Sequence, residues 1–226
     1  MNKTFKNIKK GWNWIWNSDS LLSWVAALFL IFVFVKLIFF PGLSFILGTS
    51  LPLAGVESSS MDHQIVNDGL GRYLLCGEIY DKNNNNKIGH VDFDEYWEIC
   101  GGWYEENGIT KEQFRGFSLK NGFAKGDIIV VWGRFVPKIG DIIIFQANLE
   151  SSAPRPIIHR IVSIDNGVIA TKGDHNSEQL KKRNNIFNTD ETNIVNDRII
   201  GKAVLKIPYL GWPKIWLVEG LKLIFG

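Results

Sequence analysis

The longest apolar run in the chain lies near its start. Residues 21–35 carry no charge, and apolar character continues to residue 40 with Lys36 as the only break. A helix crossing about 30 Å of hydrocarbon needs roughly 20 such residues, so this run predicts a transmembrane anchor. A kinked continuation past Pro41 toward Gly48 fits the composition as well. Lys36 extends its stem along the helix and places its ammonium among the headgroups. The run has no polar face, unlike a buried core helix, and it exceeds the roughly 7–15 apolar residues of a cleaved leader. Before it come Lys3, Lys6, Lys9 and Lys10, then Trp12, Trp14 and Trp16. A basic end followed by an aromatic belt puts the N-terminus in the cytoplasm and the bulk of the chain outside.

After the anchor the pattern changes to short β-branched runs: DIIVVWG, DIIIFQA, PIIHRIVSI, GVIATKG and, at 199–207, IIGKAVLKI. Gly, Pro and Asn separate them, which predicts strands without the alternating helices of a parallel sheet. The fold class expected is mainly β: an N-terminal transmembrane helix, then a β domain carrying a small, partly helical insertion at about 77–121. Residues 176–197 are polar and read as a long loop. The last stretch, 207–226, is broken by Pro208, Pro213, Lys214, Glu219 and Lys222. It reads as a short interfacial helix from about Pro213, with a second span as the alternative.

Composition narrows the function classes. The 226 residues hold 25 Lys and Arg against 23 Asp and Glu, a net charge of +2. So even a balance gives no support to nucleic-acid binding. Cys76 and Cys100 are the only cysteines, which excludes a thiolate zinc cluster and a scaffold of several disulfides. One disulfide and two buried thiols are both open.

A serine nucleophile needs a base within hydrogen-bond reach, and the carbonyl it attacks needs donors for the oxyanion. The candidate segments are ESSSM, from Glu57 to Met61, and the strand segment IIHR containing His159. Alone, a serine cluster is usually a turn, and a strand histidine is usually structural. Their order carries more weight. Anchor, Ser-Met, GDIIVVWG, KIGDIIIF, IIHRIVSI, TKGDHNS and GKAVLKIPYLGW occur in series, and over most of residues 20–213 this resembles the type I signal peptidases. Within that family it is most similar to the archaeal and endoplasmic-reticulum branch, where histidine takes the general-base position that bacterial enzymes fill with lysine.

The resemblance implies Ser60 as nucleophile, His159 as base and Ser58 as the hydroxyl assisting the oxyanion hole beside the Ser60 backbone N–H. For the carboxylate, Asp174 in TKGDHN is the first candidate and Asp190 the alternative, with Asp197, Glu178 or no carboxylate also open. The aspartate that this branch carries six residues past the Gly-Asp position is Leu180 here. His63 stands where the family usually has proline, and it reads as a local turn residue. The implied activity is removal of signal peptides from exported preproteins at the membrane surface, with no cofactor. The implied partners are the preprotein signal peptide, the lipid bilayer and the secretion translocon.

The pattern and the resemblance together give an expected division of the chain: a cytoplasmic segment at 1–19, the anchor at 20–48, an extracytoplasmic catalytic β domain at 49–206 and a membrane-associated segment at 207–226. Two other functions compete: a tethered protease for dedicated substrates, and a non-enzymatic membrane-anchored binding protein.

One motif lies outside this scheme. Asp81, Asn83 and Asn85 alternate, and Asp92 falls at the twelfth position of a calcium-loop register. The turn glycine and terminal glutamate of that motif are both absent, which favours an asparagine-rich turn leading into an acidic helix start.

Overall fold

The computed structural model describes residues 3–67, 70, 72–79, 89–213 and 215–216. The chain divides into two compact units, Met1–Ile46 and Leu47–Gly226.

The first unit is helical. After α1 (Lys3–Asn17), Ser20 caps α2 (Leu21–Phe34) by accepting the Ser23 N–H at 3.2 Å. A π-helical turn (Val35–Phe39) leads into α3 (Phe40–Leu47), making one helix long and apolar enough to cross a membrane. The turn has a local cause. Pro41 has no N–H to donate and its ring crowds the carbonyl one turn back. The backbone widens ahead of it, and the Phe40 N–H bonds to the Val35 carbonyl. The expected irregularity therefore takes the form of a π turn just before the proline. Most apolar side chains of α2 are exposed, among them Leu21 and Leu28 at 82% and 64%, whereas Ser23 is buried. So large an apolar surface is stable only against lipid or another apolar partner.

The second unit is mainly β. Its main sheet has six antiparallel strands in the order β1-β5-β9-β6-β7-β8. These are β1 (Leu53–Gly55), β5 (Ile128–Trp132), β9 (Ile199–Ile207), β6 (Ile142–Phe145), β7 (Ile157–Asp165) and β8 (Val168–Lys172). The five β-branched runs form the five longer strands. The three-residue β1 has no comparable run and is held at the edge by pairing Leu53 with Val130 and Gly55 with Ile128.

β6 is apolar throughout because both its faces are covered. Ile142 and Ile144 join one cluster with Met61, Phe123, Ile129 and Val131, while Ile143 and Phe145 join another with Ile161, Ile169 and Ile194. This is the two-residue alternation of a buried strand.

The insertion expected at about 77–121 is partly helical, with α4 (Phe93–Glu106) and α5 (Lys111–Arg115). A second small sheet, β2 (Val66–Asn67), β3 (Tyr73–Leu75) and β4 (Glu78–Ile79), lies beside it in sequence. Helix and small sheet are joined by a disulfide between Cys76 and Cys100, which decides between the two states left open for the cysteines. Tyr96, Trp97, Tyr104 and Phe114 pack with Val162 and Ala170 of the main sheet in a third cluster. Asp92 is the N-cap of α4, its Oδ1 accepting the Glu95 N–H at 2.9 Å. Asp81, Asn83 and Asn85 lie outside the described residues. Among the described residues no group of three or more His, Cys, Asp or Glu side chains is arranged to hold a metal.

Candidate active site

Ser60 and Met61 are the central residues of a turn after β1, closed by the Asp62 N–H on the Ser59 carbonyl at 2.9 Å. Met61, 1% exposed, plugs into the apolar cluster behind it and pins the segment, and its carbonyl accepts the Phe123 N–H at 2.9 Å. The Ser60 carbonyl accepts the His175 N–H at 2.9 Å, which ties the segment to the turn after β8. Ser60 Oγ lies 3.2 Å from Ser58 Oγ. Among the described residues the Ser60 backbone N–H donates to no acceptor.

His159 and Arg160 are neighbours on β7 and take opposite roles, since consecutive strand residues face opposite ways. His159, 2% exposed, meets the Glu191 carboxylate through Nδ1. Glu191 is itself held: Thr171 Oγ1 donates to its Oε2 at 2.9 Å and the Leu180 N–H to its Oε1 at 2.7 Å. Its backbone is fixed too, with the Thr171 N–H on its carbonyl and its own N–H on Leu180. The other ring nitrogen, Nε2, faces Gly173. A methyl group on Gly173 would come within 2.8 Å of His159 Nε2 and 2.7 Å of the Ser60 carbonyl. Only glycine lets the imidazole and the serine segment approach the same point.

Arg160 is fully buried and carries a separate network. Its Nε and Nη2 hold Asp174 Oδ1 and Oδ2 at 2.9 and 2.6 Å, and its remaining donors reach the Ser118, Leu119 and Gly140 carbonyls. The guanidinium also lies over the Phe114 ring at 4.7 Å. Tyr104 Oη donates to Asp174 Oδ1 at 3.2 Å, and His63 Nε2 lies 3.2 Å from Oδ2. Burial alone would push the Asp174 carboxyl up, but the Arg160 charge and the His63 contact hold it well below the usual carboxylate range. His63 stacks on Tyr96 with ring centroids 3.6 Å apart, and burial drives its pKa down despite Asp174. Lys172, 1% exposed beside the Trp103 and Tyr104 rings, is pushed down to about 8 by burial, with Asp174 and Glu191 offsetting part of the shift.

The expected residues thus separate. Ser58, Ser60 and His159 line one cleft of about 740 Å³ together with Leu53, Val56, Ile144 and Phe187. Among the described residues no hydrogen bond joins Ser60 Oγ to His159. Asp174 is not at the His159 ring, because its two oxygens are taken by Arg160, Tyr104 and His63. Asp190 instead closes a local turn, accepting from the Thr192 N–H and hydroxyl at 3.0 and 2.7 Å. Asp197 sits exposed in a 3₁₀ turn, and Glu178 Oε1 accepts at 3.4 Å from Asn184. Glu191, one position beyond Asp190, was not among the sequence candidates. It stands in a stretch without periodicity, and non-local pairing of its backbone with Thr171 and Leu180 brings it to the imidazole.

The chain thus combines an antiparallel β unit, an apolar helix earlier in the sequence, and serine hydroxyls and a histidine along one cleft, with a carboxylate on the histidine ring. No family model matches the chain. It is similar to curated proteins named signal peptidase complex catalytic subunit SEC11. That of Colletotrichum graminicola is 28% identical over 109 residues, 45% of this chain and 60% of the relative. The Plasmodium falciparum protein is 29% identical over 109 residues, 45% and 55% of the two chains. The Scheffersomyces stipitis protein is 26% identical over 117 residues, 48% and 66%. The matched stretch thus spans about 60% of the length of the first of these relatives. The resemblance to signal peptidases drawn from the order of motifs is borne out by these relatives.

Proposed function

We propose that this chain is a membrane-anchored serine endopeptidase that removes signal peptides from exported preproteins. The observation that carries the reading is the Glu191 carboxylate on His159 Nδ1, with the opposite nitrogen directed toward Gly173 and the serine segment. A carboxylate on Nδ1 fixes the tautomer that leaves Nε2 free as a base and stabilises the imidazolium once it forms.

In this mechanism Ser60 Oγ turns from Ser58 toward Nε2, a rearrangement of the kind that substrate binding commonly completes. His159 takes the hydroxyl proton as Oγ attacks the scissile carbonyl. The Ser60 N–H and the Ser58 hydroxyl stabilise the oxyanion. The imidazolium gives its proton to the leaving amine, and water, activated by the same imidazole, releases the acyl group from Ser60. β1 is an edge strand beside the cleft, so an extended signal peptide gains backbone pairing there.

The division into a cytoplasmic segment (1–19), anchor (20–48), extracytoplasmic catalytic domain (49–206) and membrane-associated segment (207–226) belongs to the same proposal. It is supported by the apolar helix and by the apolar patch of Tyr209, Trp212, Pro213 and Trp216. An interfacial site raises the effective concentration of a substrate confined by its own apolar segment. The preprotein, the bilayer and the secretion translocon are the proposed partners. A panel of unrelated preproteins presented to the membrane-reconstituted chain tests the substrate class. Cleavage of most of them after small residues supports a general signal peptidase, whereas cleavage of one or two points to a dedicated processing protease.

A further inference from the structure

The insertion meets the supports of the site at several points, Tyr96 stacking on His63 and Phe114 lying under Arg160, and it grips Asp174 by its backbone and its side chain alike. Tyr96 Oη donates to the Asp174 carbonyl at 2.7 Å, and Tyr104 Oη to its Oδ1 at 3.2 Å. The Cys76 sulfur of the disulfide lies 3.3 Å from the same carbonyl, and that bridge ends on α4 at Cys100. Both tyrosines are fully buried on α4, one on each side of the disulfide in sequence.

Asp174 in turn is the middle of the turn that holds the serine segment. The residue before it, Gly173, is packed against the Ser60 carbonyl and His159 Nε2, and the residue after it, His175, donates its N–H to the Ser60 carbonyl. His175 Nδ1 lies a further 2.9 Å from the Asp62 carbonyl, and the Asp174 N–H points at Met61 Sδ at 3.4 Å. Ser60, Met61 and Asp62 are therefore all registered against residues 173–175.

We infer that the α4 insertion is a positioning element for the nucleophile, acting from Tyr96 and Tyr104 through Asp174 to the backbone of Ser60. The inference rests on the peptidase reading above and assigns this part of the chain a role within it. The tyrosines touch neither substrate nor reacting atoms. They set where the Gly173–His175 turn stands, and so where Oγ lies relative to the imidazole. A displacement of about 1 Å at a reacting atom costs on the order of 10²-fold in rate. Loss of one buried hydrogen bond, worth about 1 kcal/mol or roughly fivefold, sets the smaller scale expected for one hydroxyl.

The test compares the full chain, reconstituted in liposomes, with Tyr96→Phe, Tyr104→Phe, their double variant and a control, Glu98→Gln, on the exposed face of α4. Signal-peptide cleavage is measured to separate kcat from KM, and thermal unfolding is followed in parallel. The expected result is a drop in kcat of about fivefold for each single variant and more than tenfold for the double, with KM within about twofold and the control unchanged. Equal kcat in wild type and folded double variant overturns the inference and leaves the peptidase reading standing. Should the double variant not fold, the single variants decide, and wild-type kcat in both overturns the inference. A wild-type chain that cleaves no preprotein overturns the peptidase reading itself.

Discussion

The Glu191 carboxylate meets Nδ1 of His159 from 32 residues further along the chain, on a loop rather than on a strand. Donors from Thr171 and Leu180 hold its Oε2 and Oε1, so it is oriented before any substrate arrives. Glu191→Gln replaces an acceptor by a group that can favour the wrong imidazole tautomer, and cleavage should fall by roughly 10²- to 10⁴-fold with little change in KM. Steady-state kinetics on a preprotein measure it. Near-wild-type kcat in this variant removes the carboxylate from the mechanism.

Asp174 has the opposite profile. It is the sole carboxylate on the fully buried Arg160 among the described residues, and removing its charge leaves that cation unpaired. Asp174→Asn should destabilise the fold by about 3–5 kcal/mol, as loss of one partner of a buried pair does. Asp190→Ala, which loses only a turn contact, should cost about 1 kcal/mol and keep its activity. Denaturant unfolding of the two variants separates them.

The strands were legible because β-branched runs are a local signal: every long strand coincides with one. The long apolar helix was legible for the same reason, since length and polarity decide it. What lay beyond the sequence is non-local. β1 is only Leu-Ala-Gly and exists through its pairing with β5. Asp174 and Glu191 are both acids within polar stretches, and nothing in their neighbours tells which one meets the imidazole. That depends on Arg160, which shares β7 with His159, capturing Asp174 on its own face of the strand. Ser60 and His159 were recognised from the order of motifs, and the fold brings both to one cleft.

Gly173 lies between the Ser60 carbonyl and the His159 imidazole. Gly173→Ala puts a carbon 2.7 Å from the Ser60 carbonyl and 2.8 Å from Nε2, so backbone or ring must shift. A loss of about 10²-fold in kcat is expected while the chain still folds. Cleavage kinetics together with circular dichroism check both halves of that statement.

Acid should unfold the second unit in two stages. Burial lowers the His63 pKa, so the unfolded chain binds its proton more readily, and stability is lost as pH falls below the ordinary histidine value of about 6.5. Asp174, held low by Arg160 and His63, adds a second loss below about pH 4. Asp62 opposes this: burial raises its pKa, so the folded state binds that proton more tightly and gains from it in acid. Thermal midpoints recorded from pH 8 to 3 should therefore fall first near pH 6, and His63→Gln should remove the first decline while sparing the second.

The most direct measurement is cleavage of a preprotein by the membrane-reconstituted chain, with the product's new N-terminus identified, for wild type, Ser60→Ala and His159→Ala. Wild type should make one cut at the end of the signal peptide, with a loss of at least about 10³-fold in each variant. Cleavage at an undiminished rate by the Ser60→Ala chain would contradict the proposed mechanism.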